Sequence, residues 1–123
     1  MKIVIVGIGK VGRALAEHLS KEGHDVAVID NRPGIAERLA EELDVLGIEG
    51  NGAAYTVQQQ ARAGQADLVI AATDGDEVNM IACMTAKKLG AKNTIARVRS
   101  AEYEGQLRFM QQEMGLSLSI NPE

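Results

Sequence analysis

The feature that most constrains this chain lies in its first thirty residues. An apolar run, Ile3–Val6, leads directly into Gly7-Ile8-Gly9-Lys10-Val11-Gly12, which opens a helical pattern. A second apolar run, Val26–Ile29, ends in Asp30. Strand, glycine turn, helix, strand and acid in that order form the grip that holds a dinucleotide. Gly7 allows the tight turn off the strand. Gly9 lets a pyrophosphate approach the backbone, and Gly12 lets the helix pack close to the sheet. The phosphates would then sit over the free N–H groups and positive dipole end of the helix. Asp30 would accept hydrogen bonds from the ribose hydroxyls. Its charge would repel a 2′-phosphate, which favours NAD(H) or a plain adenosine nucleotide over NADP.

The remaining elements alternate. The spacing predicts a strand at Ile3–Val6, a helix at Lys10–Lys21 with Val11, Leu15 and Leu19 on one face, and a strand at Asp25–Asp30. Pro33 is expected in the first turn of a second helix, with Ile35, Leu39 and Leu43 inward. A short strand, Asp44–Ile48, precedes the Gly50-Asn51-Gly52 loop and a polar helix near Ala54–Ala63. Asp67–Ala72 reads as the fourth strand, Glu77–Leu89 as a helix ended by Gly90, and Thr94–Val98 as the fifth strand. A helix at Glu102–Met114 and a strand at Leu116–Ile120 complete the pattern. The expected fold is α/β, a Rossmann-type doubly wound six-stranded parallel sheet in the order 3-2-1-4-5-6, with residues 1–123 as a single domain.

Composition agrees with that class. In 123 residues, 46% are apolar but only 2% aromatic, so the core must be aliphatic, as in a parallel sheet covered on both faces. A net charge of −4 without a dense basic stretch argues against nucleic acid as a partner. The single cysteine, Cys83, excludes an internal disulfide and a cysteine-based metal cluster, and no metal site is expected. No signal peptide and no membrane-length apolar run is present, so a reducing cytoplasm is the expected home.

In a doubly wound sheet the ligand lies beyond the C-terminal ends of the strands. The loops there supply the glycine turn, then Asp30, Asn31 and Arg32, then Asn51 and Gly52, then Thr73 and Asp74. Thr73 and Asp74 would contact the nucleotide, and Thr73, Asp74 or Asp76 would cap the Glu77–Leu89 helix, two roles that are compatible. Arg97 and Arg99 alternate with Ala96 and Val98, which places both on one strand face. Phosphate oxygens would serve at least one of them, with salt bridges to Glu77 or Glu102 as the alternative. Lys10 would neutralise a phosphate or simply be solvated. His18, His24 and Cys83 have no partners at catalytic spacing, so no catalytic residue is expected. The Glu77–Leu89 helix is apolar nearly all round, and an outward face of Met80, Cys83 and Met84 would need cover from a second subunit.

These stretches, with Gly50-Asn51-Gly52-Ala53, Ala71-Ala72-Thr73-Asp74, Asp76–Met80, Thr94–Arg99 and Ile120-Asn121-Pro122-Glu123, resemble the N-terminal nucleotide-binding domains of the regulator-of-potassium-conductance group (RCK/KTN, TrkA-N). The resemblance is closest to the cytosolic regulatory subunits of Trk-type potassium uptake systems, and it covers essentially the whole sequence. It implies binding of NAD(H) or ATP/ADP that gates a membrane potassium transporter or channel subunit. It implies a location at the inner face of the membrane through that partner, and assembly as a homodimer or higher homo-oligomer. It carries nucleotide contacts to Gly7, Ile8, Gly9, Lys10 and Val11, and to Asp30, Thr73, Asp74 and Arg97. Members of the group continue past Asn121-Pro122-Glu123 into a linking helix, so a truncated or minimal regulator is expected. The other function class is an NAD-dependent oxidoreductase fragment lacking its substrate domain. The nucleotide fold uses the entire sequence and leaves nothing for a substrate pocket, so a non-enzymatic role is expected.

Overall fold

The computed structural model describes residues 1–113 and 118–120. The elements are β1 (Lys2–Val6), α1 (Lys10–Lys21), β2 (Asp25–Asp30), α2 (Ile35–Glu42), β3 (Val45–Glu49), α3 (Tyr55–Gln60), β4 (Leu68–Ala71), α4 (Asp76–Leu89), β5 (Asn93–Arg97) and α5 (Glu104–Glu113). The sheet proper has five parallel strands in the order β3-β2-β1-β4-β5. A three-residue strand, β6 (Leu118–Ile120), pairs in parallel with β5 at the edge. The chain is therefore α/β and Rossmann-like. Met114, Leu116 and the Asn121-Pro122-Glu123 motif lie outside the described residues.

Alternation along the strands makes two cores. Ile3, Ile5, Val26 and Val28 face α1 and α2, where they meet Ala16, Ala36 and Leu39. Val4, Val6, Ala27, Ile29, Val69 and Ala71 face the other side and meet Met80, Ala82, Cys83 and Ala86 of α4. Small side chains on the helices let them lie close against β-branched strand residues. Among the described residues the fully buried core is accordingly aliphatic, with Tyr103 packed at its margin.

Four expectations need correction. Val11 is 40% exposed, and Gly12 and Ala16 are the buried residues of α1 instead. Gly12 lies so close to the turn that no side chain fits there, so α1 docks through its small residues. Pro33 precedes α2 and does not lie within it, because Gly34 (φ +78°) is the N-cap and Ile35 the first helical residue. No side chain caps α4, and its N-cap is Gly75. Met80 and Cys83 turn inward to the core and Met84 is half-buried, while Val78 and Ile81 take the outward face at 39% and 48% exposure. The inward turn of Cys83 pushes its thiol pKa up to about 12 through desolvation.

Candidate nucleotide site

The C-terminal ends of the strands open into a cleft of about 620 Å³. Gly7, Ile8, Gly9, Lys10, Val11, Asp30, Asn31, Arg32, Asn51, Thr73, Asp74 and Arg97 all line it. Gly12 does not. It lies beneath the turn, where a Cβ would come within 1.8 Å of the Gly7 carbonyl oxygen.

The glycines divide into two kinds. Gly7 is required by the fold: its φ is +100°, and a Cβ would stand 2.8 Å from the Thr73 nitrogen. Gly9 is not. Its backbone (φ −84°, ψ −161°) suits any residue, and a Cβ there would meet nothing within 4 Å. The open space it faces lies over the N-terminus of α1, which has no side-chain cap. Nothing in the packing explains a glycine at position 9, whereas a phosphate group resting on that helix end would. The residues present therefore fit a nucleotide.

Asp30 lies at the end of β2, 6% exposed. Its Oδ2 accepts the Ile8 N–H at 2.8 Å and Arg32 Nη2 at 3.0 Å. Its Oδ1 accepts the Arg32 N–H at 2.9 Å and Nε at 3.0 Å. Burial acts to raise its pKa, but the bonds from Arg32 and Ile8 prevail and hold it below the usual aspartate value. The carboxylate thus fastens the glycine turn to the second strand, a structural duty the sequence spacing did not suggest.

On the opposite wall, Thr73 donates its N–H to Asn79 Oδ1 at 2.9 Å, and its hydroxyl bonds the same oxygen at 2.6 Å. Asn79 Nδ2 donates to the carbonyls of Thr73 (3.0 Å) and Arg97 (2.7 Å). Asn79 is fully buried and was missed in the sequence. Its signal was present, since an amide on the sheet-facing side of an apolar helix demands partners. Val78, one residue before it, was also missed as a cleft-lining side chain. Gln58 was missed as well: its Nε2 holds the carbonyls of Gly52 and Ala82, each at 2.8 Å, beneath the Asn51 loop.

The two arginines do not share a role. β5 ends at Arg97, which lines the cleft, and none of the ion pairs among the described residues involves it. Arg99 lies past the strand end and outside the cleft lining, near Asp74 at 3.9 Å. Its carboxylate partner is thus Asp74 and neither Glu77 nor Glu102. Glu77 is bonded instead by the Tyr103 hydroxyl. Asp76 accepts the N–H groups of Arg99 (3.0 Å) and Ser100 (2.8 Å), which fixes the exit of β5 and leaves α4 without that cap. Among the described residues no cluster of His, Cys, Asp and Glu could hold a metal ion, and no helix is long and apolar enough to cross a membrane.

Comparison with known proteins bears on the fold and the family. The chain is 41% identical over 123 residues to a Trk system potassium uptake protein TrkA homolog of Archaeoglobus fulgidus, covering all of this chain and 28% of that protein. It is 45% identical over 130 residues to Trk system potassium uptake protein trkA homolog 1 of Methanosarcina mazei, covering all of this chain and 31% of that protein. The chain therefore spans less than a third of either relative's length. Among solved structures it is similar to the TrkA-N domain of the inner membrane protein ybaL from Escherichia coli, with a TM-score of 0.84 at 22% identity over 98% of this chain and 87% of that one. It is also similar to the GsuK channel bound to NAD, with a TM-score of 0.79 at 24% identity over 97% of this chain and 21% of that one. The Kef C-terminal domain of Shewanella denitrificans in its AMP-bound form gives a TM-score of 0.76 at 18% identity over 98% of this chain and 71% of that one. At such identities these structures attest the fold. The TrkA-N domain model matches residues 3–122, and the chain belongs to the TrkA-N domain family.

Proposed function

We propose that this chain is an adenine-nucleotide-binding regulatory module that gates a membrane potassium transporter or channel. The observation that carries the nucleotide reading is Gly9, a glycine that the fold does not need, facing open space at an uncapped helix N-terminus. In this reading the phosphates rest over Gly9–Gly12, Lys10 and Arg97 neutralise them, and Asp30 takes the ribose. Asn31, Arg32, Asn51, Thr73 and Asp74 complete the walls. The ligand is NAD(H), with ATP or ADP as the other candidates, and the NAD-bound and AMP-bound structural relatives support that class. The potassium link is supported by the Trk potassium uptake relatives. The module would be held at the cytoplasmic face of the membrane by its partner.

In this reading the chain's own residues bind and position and do no covalent chemistry. His24 bonds the N-terminal ammonium at 3.1 Å and His18 lies near Glu22 at 3.4 Å, both away from the cleft. Cys83 is buried and its thiol stays protonated at neutral pH. Regulation would arise because a ligand that binds two subunit arrangements unequally shifts the balance between them. Calorimetric titration with NADH, NAD⁺, ATP and ADP tests the reading. At least one should bind with a Kd on the order of micromolar, about −8 kcal/mol. A folded protein that binds none of the four would overturn it.

Pairing would use the outward face of α4. Val78 and Ile81 there leave apolar surface in water at roughly 25 cal/mol per Å². Light scattering should show a dimer at micromolar concentration and a monomer for Ile81→Glu. A wild-type monomer at high micromolar concentration, or a dimeric Ile81→Glu, would place the contact elsewhere or nowhere.

A further inference from the structure

The Asp30 carboxylate has about four acceptor positions, and all are filled from within the chain. Two go to backbone N–H groups, of Ile8 (2.8 Å) and Arg32 (2.9 Å), whose places are set by the glycine turn and the end of β2. The other two go to the Arg32 guanidinium, through Nε and Nη2, each at 3.0 Å. The same Nη2 also donates to the Ile8 carbonyl at 3.0 Å, so the guanidinium lies across the glycine turn itself. A ribose that offers two hydroxyls to Asp30 needs two of these positions. The backbone donors cannot leave without unmaking the turn. The guanidinium can: its side chain is 56% exposed, against 5% for Asp30.

We propose that Arg32 is an internal competitor for the ribose, holding the Asp30 carboxylate until a nucleotide displaces its guanidinium. The proposal rests on the nucleotide-binding reading above and adds a price to entry. Only the fraction of molecules with Arg32 withdrawn is competent, and apparent affinity falls by that fraction. A withdrawn guanidinium has somewhere to go. Asp74, on the facing wall with its side chain 99% exposed and Arg99 3.9 Å away, offers it a carboxylate across the mouth of the cleft.

The sign of the effect makes the idea testable. Removing a cation beside an anionic ligand ordinarily weakens binding. Here Arg32→Ala should tighten ADP binding by about 3- to 10-fold, because it removes the competitor. The gain should vanish when Arg32→Ala is made in an Asp30→Asn background, which a double-mutant cycle reads directly. It should also be absent for inorganic pyrophosphate, which occupies the phosphate cradle and never reaches Asp30. Calorimetry on the four proteins with both ligands, with thermal melting to verify folding, gives the answer. Unchanged or weaker ADP binding by Arg32→Ala, with wild type binding normally, would overturn the competition and spare the nucleotide reading. An equal gain for pyrophosphate would also overturn it, since Arg32 would then obstruct the phosphates. If neither wild type nor Arg32→Ala, both folded, binds ADP, the nucleotide reading falls and the competition with it.

Discussion

Gly9→Val should abolish adenine-nucleotide binding while the protein stays folded. The two halves of that result have separate causes. The fold tolerates a side chain at position 9, since the backbone is in an ordinary region and a Cβ meets no protein atom within 4 Å. The expected cost is the poorer helix N-cap, about 1 kcal/mol, or a few degrees in melting temperature. The ligand does not tolerate it, because the branched side chain fills the space the pyrophosphate needs. A loss of at least a hundredfold in Kd, about 2.8 kcal/mol, should appear by calorimetry with a near-native melting curve. A folded Gly9→Val protein that keeps its affinity would show that the phosphates do not rest on this turn. The same substitution at Gly7 or Gly12 could not make this distinction, because those positions are closed by backbone atoms.

Asp30→Asn should weaken adenosine-nucleotide binding by roughly 10- to 150-fold, corresponding to about 1.5–3 kcal/mol for a hydrogen bond to a charged group. It should also relax the discrimination between NADH and NADPH, because the charge that repels a 2′-phosphate is gone. Asparagine is the informative replacement. It keeps an acceptor oxygen for the Ile8 N–H, so the glycine turn retains its tie to β2, whereas alanine would release the turn and confuse the two effects. Titration of wild type and variant with NADH and NADPH gives the ratio. If that ratio does not change, the carboxylate does not contact the ribose, and its bonds to Ile8 and Arg32 are its whole role.

Much of this fold is legible in the sequence. The alternation of β1 and β2 into two opposed cores follows from continuous apolar runs, and the cleft-lining loops follow from the winding of a parallel sheet. Sequence spacing failed where a side chain has two possible employers. Asp30 was read only as a ligand contact, because its bonds to Ile8 and Arg32 join residues whose approach depends on the turn's closed geometry. On α4, hydrophobicity all round the helix hid which face is outward. Rotation of that helix is set by the small residues Ala82 and Ala86 against the sheet, and these carry little weight in any apolar pattern. The arginines at 97 and 99 looked equivalent by alternation, but alternation holds only while the strand lasts, and β5 stops at Arg97.

Asn79 gives the cleft an unequal pair of walls. One amide, buried on α4, holds both the Thr73 and Arg97 main chains, so the exits of β4 and β5 and the first turns of α4 are bolted into a single block. The facing wall is fastened at its base by Asp30, but its reach into the cleft is one long side chain on a half-exposed stem. The site resembles a vice with one fixed jaw and one movable finger. A molecule entering it would press against an anvil on the β4–β5 side, and what gave way would be the finger.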